Sequence, residues 1–181
     1  MPQQIKITEN IDLQLITEND CKELLNLMTT VYSLAYDYFW HDGGAWYLDF
    51  IYGEKSVLKD LEASNSPYFF VLFDGKKVGV LRIQYDEVFP FLADKTAAKL
   101  HRIYLHPKVQ GKGVGRHLMN WTIEETRKFG QEILWLEAME MKTDALSFYK
   151  KFDFEIRNYL ILPYERIHLE MRGMYQLWRK V

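Results

Sequence analysis

Apolar positions recur along this chain with two periods, and the switches between them mark the elements. Asn10 to Ile16 alternates apolar and polar residues, the period of a half-buried strand. Leu24, Leu25, Met28, Val31, Tyr32 and Ala35 then fall on one face of a helix, with Thr17 and Asp20 as capping groups ahead of it. Asp42-Gly-Gly44 breaks that run, and Ala45 to Glu62 predicts a second helix, interrupted at Gly53. Tyr68 to Phe73 and Lys77 to Tyr85 are strand-like and flank Asp74-Gly75, a hairpin signal. Asp86 to Thr96 reads as a loop whose Val88–Leu92 core packs locally.

Leu100 to Leu105 is the next strand. Val114, Leu118 and Trp121 follow at the spacing of one helical face, in a helix running to Phe129 with Gly130 just past its end. Glu132 to Met139 predicts a strand, and Thr143 or Asp144 caps a helix with Ala145, Phe148, Tyr149 and Phe152 on one side. Phe154 to Leu162 and Met171 to Arg179 read as closing strands. A hairpin followed by βαβα and more strands predicts an α/β (α+β) chain: one mixed sheet with helices on both faces, in a single domain over 1–181.

The chemistry concentrates in Gln110-Gly-Lys-Gly-Val-Gly-Arg116, at a strand-to-helix turn. Alternate glycines let backbone N–H groups converge without side chains in the way. The first helical turn adds free N–H groups and the positive end of its dipole, and Lys112 and Arg116 add charge. This is an anion cradle suited to phosphate. A Walker loop is excluded, because Arg116 and His117 stand where Lys and Ser/Thr must follow the last glycine. A dinucleotide fingerprint needs Gly-x-Gly-x-x-Gly, and Gly-x-Gly-x-Gly departs from it. Glu137 nevertheless sits where a ribose-binding acid would be expected, so an oxidoreductase stays as an alternative.

The remaining pattern, Gln/Arg-x-x-Gly-x-Gly/Ala, is met by Gln110, Gly113 and Gly115. It resembles the acetyl-coenzyme A loop of the GCN5-related N-acetyltransferase (GNAT) superfamily. Ala145, Phe148, Tyr149 and Phe154 also match that family's Ala-x-x-Phe-Tyr-x-x-x-Gly-Phe segment, in the right order. The Tyr32 to Phe50 stretch is similar to the polyamine N-acetyltransferase branch. The resemblance implies a mostly antiparallel sheet of about six or seven strands and transfer of acetyl from acetyl-coenzyme A to a primary amine. A small amine or polyamine is the favoured acceptor, attack is direct in a ternary complex, and no metal is required. A non-catalytic acyl-coenzyme A sensor is the other reading of the same loop.

By the same resemblance, Ile103, Tyr104 and Leu105 pair with the pantetheine arm, and Gly111, Lys112, Gly113, Val114, Gly115 and Arg116 hold the pyrophosphate beside Gln110. Tyr149 is the general acid. Lys99 stands where a glutamate base is common, which leaves His101 as the base, or Glu137 and Glu140 through water. Lys142 replaces a common asparagine near the coenzyme, and Asp153 replaces the glycine before Phe154, so the turn there is expected to differ. Tyr36 and Trp40, with Asp37 or Asp42, are acceptor-binding candidates through cation–π and charge contacts.

Charge and cysteine content narrow the partners. Of 181 residues, 23 are Lys or Arg and 25 Asp or Glu, a net charge of −2 without like-charge blocks. That gives no basic stripe for nucleic acid. The longest apolar run, Tyr68 to Phe73, is too short to span a bilayer. Cys21 stands alone, so no disulfide framework exists, and a buried thiol in a cytoplasmic protein is expected. His41, His106, His117 and His168 lack ligand spacing, so no metal is expected. A homodimer is expected to pair through the closing strands around Met174 to Trp178.

Overall fold

The structure is a computed structural model, and it describes residues 3–181. Eight strands form one sheet: β1 (Gln4–Lys6), β2 (Ile11–Leu15), β3 (Tyr68–Phe73), β4 (Lys76–Gln84), β5 (Ala97–Leu105), β6 (Ile133–Met139), β7 (Glu155–Ile161) and β8 (Gly173–Lys180). Their order is β1-β2-β3-β4-β5-β6-β8-β7. Only β5 and β6 run parallel; every other neighbouring pair is antiparallel. The mixed, mostly antiparallel sheet is as expected, with one strand more than the upper expectation. The extra strand is β1, three residues long, whose pattern carries too few positions to reveal a period.

The helices are α1 (Cys21–Tyr36), α2 (Ala45–Tyr52), α3 (Glu54–Leu61), α4 (Val114–Lys128) and α5 (Thr143–Lys150). The Asp20 carboxylate accepts from the Thr17 N–H and hydroxyl, each at 2.8 Å, ahead of α1. Gly53 divides α2 from α3 at the interruption read in the sequence. Two cores result. Leu118, Met119 and Ile123 of α4 and Tyr149 of α5 pack on one sheet face with Leu81, Leu100 and Leu134. Leu24, Met28, Tyr52 and Val57 of α1–α3 cover the other face with Phe70 and Val80. Each such large side chain, taken fully out of water, contributes roughly 1.5–3 kcal/mol. In the loop after β4, Phe89 is the local anchor, tilted against Trp135 with ring centres 5.4 Å apart, while Val88 and Phe91 stay exposed.

Two expectations change. Asp153 takes the left-handed backbone (φ 59°) that glycine adopts most cheaply, and Asp is among the residues that tolerate it. The turn therefore closes without glycine, with the Phe154 N–H donating to the Tyr149 carbonyl at 3.3 Å. The closing strands around Met174 to Trp178 cannot offer a free edge, because β8 is inserted between β6 and β7 and both its sides are paired. The edge is β7, which leaves Ile156, Tyr159 and Ile161 exposed.

Candidate functional site

The site begins where two parallel strands part. Pairing of β5 with β6 runs from Ala97↔Ile133 to Leu100↔Leu136 and stops, although β5 continues to Leu105 and β6 to Met139. A bulge lies at that point. The β4–β5 register steps from Arg82↔Arg102 to Ile83↔Leu100, so His101 is the extra residue. Bulges bend a strand and increase its twist, which turns the tip of β5 away from β6. On its far side that tip is held close to β4, where a Cβ on Gly79 would collide with the Tyr104 carbonyl oxygen.

A cavity of about 450 Å³ opens in the gap. It brings together His101, Ile103, Tyr104, Lys142, Tyr149, Tyr36 and Trp40, seven of the residues singled out in the sequence. Glu137 lines it too, whereas Glu140 does not. Glu140 instead accepts from the Tyr159 and Tyr175 hydroxyls, at 2.9 and 3.3 Å. Tyr32 and Tyr47 of the aromatic stretch line the cavity as well, and residues the sequence left unmarked complete the walls: Leu162, Tyr164 and Ile167 from the segment between β7 and β8. That segment is tied over the aromatic stretch by a bridge between Trp40 and Ile167, with His41 N–H on Arg166 O and His168 N–H on Phe39 O, both 2.9 Å. Buried Ile167 between two polar neighbours was its one weak sequence signal.

Beyond Leu105, a turn at Pro107–Val109 leads into the glycine loop and α4. Gly111 and Gly113 have φ of 75° and 78°, which bends the backbone inward at the helix start. No acceptor within the protein is found among the described residues for the N–H groups of Gly111, Gly113, Val114, Gly115 and Arg116; the first bond of α4 is His117 N–H to Gly113 O, at 3.1 Å. Gly115 packs under Phe148 and Leu105, its Cβ position being 3.5 and 3.7 Å from them. Gln110, Lys112 and Arg116 are exposed beside this row of donors.

Tyr149 is 8 % exposed on α5, and burial pushes its pKa up to about 12, so the phenol keeps its proton through the neutral range. Glu137 accepts from Lys99 Nζ at 2.8 Å and from Gln176 Nε2 at 3.0 Å; Gln176 accepts in turn from Asn158 Nδ2 at 2.9 Å. Lys99, in the position that often carries a glutamate, thus steadies a glutamate supplied by β6. Lys142 donates to Ala35 O at the end of α1, 2.9 Å, with its ammonium 4.8 Å from the Tyr36 ring centre. Trp40 is 5 % exposed and its indole N–H donates to the Tyr32 hydroxyl at 2.9 Å, so it forms wall as much as binding surface.

His101 lies beside a buried knot of charge. Asp60 Oδ2 is 2.7 Å from both Arg82 Nη1 and Arg102 Nη1, and Arg82 Nη1 donates to His101 Nδ1 at 3.3 Å. Burial first, then Arg102, Arg82 and Lys99, push the His101 pKa from 6.5 down to about 2. The folded protein resists a proton that the unfolded chain accepts, so stability is complete above about pH 6.5 and falls as pH drops below it. His101→Gln removes this term. Its melting temperature should decline less than the parent's between pH 7 and pH 5; parallel declines would show that His101 is not desolvated. His41 and His168 also meet, with ring centres 4.0 Å apart, but no group of three or more metal-ligating residues forms among the described residues.

Residues 25–154 match the acetyltransferase (GNAT) family. An uncharacterised N-acetyltransferase from the pepI 3′ region of Lactobacillus delbrueckii subsp. lactis is 25% identical over 138 residues, 74% of this chain and 78% of the relative. The spermidine N-acetyltransferase SpeG of Vibrio cholerae superposes with a TM-score of 0.67 at 15% identity, over 96% of this chain and 95% of that one. The ribosomal L7/L12 α-N-protein acetyltransferase RimL in complex with coenzyme A gives 0.70 at 13% identity, over 99% and 98%. The parted strands, the donor row at the start of α4 and the family match agree: the chain belongs to the acetyltransferase (GNAT) family and is an N-acetyltransferase.

Proposed function

We propose that the chain transfers acetyl from acetyl-coenzyme A to the primary amine of a small acceptor, by direct attack with both substrates bound. The observation that carries this is the pairing that ends at Leu100↔Leu136 immediately before the five open N–H groups of Gly111 to Arg116. The edge of Ile103–Leu105 offers backbone groups to an amide-bearing arm, as one more strand would. The open N–H groups and exposed Lys112 and Arg116 suit a pyrophosphate. RimL binds coenzyme A in this fold, which supports the assignment.

The chemistry then needs two proton transfers. The amine nitrogen attacks the thioester carbonyl, the C–S bond breaks, and Tyr149 gives its hydroxyl proton to the departing sulfur. The amine sheds its proton to a water held by Glu137, the one carboxylate in the cavity wall. His101 serves poorly as this base, because a proton on it would face Arg102, Arg82 and Lys99. Calorimetry with acetyl-coenzyme A and a coenzyme A thiol-release assay test the reading. Binding with amine-dependent release is expected, and binding without release for any amine would indicate a sensor. Glu137→Gln should lower kcat by about 10²-fold or more with acetyl-coenzyme A affinity kept. An unchanged kcat would remove Glu137 from the proton path.

A further inference from the structure

The charges around the inner end of the cavity point to an acceptor class. Four cations gather there, Arg102 and Lys142 on the cavity wall and Arg82 and Lys99 outside its lining, against two carboxylates, Glu137 on the wall and Asp60 outside it. Both carboxylates are already committed. Asp60 is shared by two guanidinium groups, and each Glu137 oxygen accepts from its own donor. Of the acids nearest the aromatic stretch, Asp42 is the more fully engaged. Asp37 accepts from the Tyr38 N–H at 2.7 Å, and Asp42 from the Gly44 and Trp46 N–H groups at 3.0 Å each, with Arg166 3.5 Å away. A polyamine would bring several ammonium groups to a wall with one carboxylate, already paired with Lys99, and an excess of positive charge.

The cations keep donors in hand. Arg102 Nη1 is taken by Asp60, yet a guanidinium has five N–H groups; Lys142 gives one of three to Ala35 O. An aromatic wall adjoins them. Tyr32 stacks on Tyr36 at 4.9 Å and on Tyr47 at 4.7 Å, with Tyr104 edge-on at 5.8 Å. Flat apolar faces, surplus positive charge and one carboxylate near the parted strands match three parts of one molecule: a ring or branched apolar body, a carboxylate and an amine.

We infer that the acceptor is an aminocarboxylate with an aromatic or branched apolar body, of the α-amino acid type, and not a polyamine. This rests on the acetyltransferase reading and refines its acceptor site. The test uses matched pairs that differ by the carboxylate alone: tyrosine with tyramine, phenylalanine with phenethylamine, tryptophan with tryptamine, leucine with isoamylamine, plus spermidine. After acetyl-coenzyme A binding is verified by calorimetry, kcat/KM is measured from thiol release. In at least one pair the amino acid should exceed its amine, and spermidine, by about ten-fold or more, the scale of one charge-assisted hydrogen bond. Lys142→Gln should erase most of that ratio while Lys142→Arg keeps it.

Equal or better use of the bare amines or of spermidine overturns the inference and leaves the acetyltransferase reading standing. So does a ratio that Lys142→Gln does not move. If acetyl-coenzyme A binds but nothing turns over, calorimetry with the N-acetyl products decides: tighter binding of the N-acetylamino acid than of its N-acetylamine upholds the aminocarboxylate site, and no preference ends it. Failure to bind acetyl-coenzyme A sinks both readings together.

Discussion

Tyr149→Phe should lower kcat by about 10²–10⁴-fold, the usual contribution of a positioned general acid, while acetyl-coenzyme A affinity stays within about two-fold. The expectation follows from two facts about this side chain. It lines the gap between β5 and β6, and burial pushes its pKa up to about 12, so the hydroxyl keeps a proton to give. Phenylalanine keeps the ring contacts with Phe148 and Phe154, at 5.5 and 5.8 Å, so the core has no reason to move. Single-turnover kinetics with a matched melting curve make the measurement. A kcat within a factor of two of the parent would leave Tyr149 a wall residue and assign the sulfur's proton to solvent.

Gly79→Val should be the most disruptive single change on the sheet, although it touches no reacting atom. Any Cβ at this position meets the Tyr104 carbonyl and approaches Leu105 to 3.0 Å, so backbone must give way. Overpacking of this kind costs about 1–3 kcal/mol. The strand that yields is the tip of β5, where the proposed donors and acceptors for the coenzyme arm lie. Loss of melting temperature should therefore come with a loss of acetyl-coenzyme A affinity of about ten-fold or more, the equivalent of about 1.4 kcal/mol. Gly130→Val is the contrast: its turn has φ 71° but follows the far end of α4, away from the tip, so stability should drop with affinity kept. If both variants lose stability alone, the close approach at Gly79 matters only to folding.

Local physics made much of this fold legible. Helix faces, the Asp74-Gly75 turn and the break at Gly53 depend on neighbours in sequence, and the structure reproduces them. The glycine loop was readable for the same reason, since a row of open N–H groups at a helix start needs only the residues that form it. Features built across the sheet were hidden. Nothing near Lys99 announces Glu137, because the pair meets only once β5 and β6 lie side by side. The knot at Asp60 joins α3 to two strands, and its guanidinium groups add to burial in lowering the proton affinity of His101. The segment carrying Ile167 looked like connecting loop, yet it roofs the cavity through a bridge to Trp40.

The outer rim of β7 has a consequence for how the cavity behaves in company. Glu155 and Arg157 guard the first half of that rim with charge, a usual deterrent to unwanted strand addition. The second half ends in Leu160 and the bare side chain of Ile161, and Leu160 and Leu162 also form cavity wall. A neighbour that zips onto the rim from that end would press on side chains that also wall the cavity, so strand addition there and the shape of the cavity share the same few apolar residues.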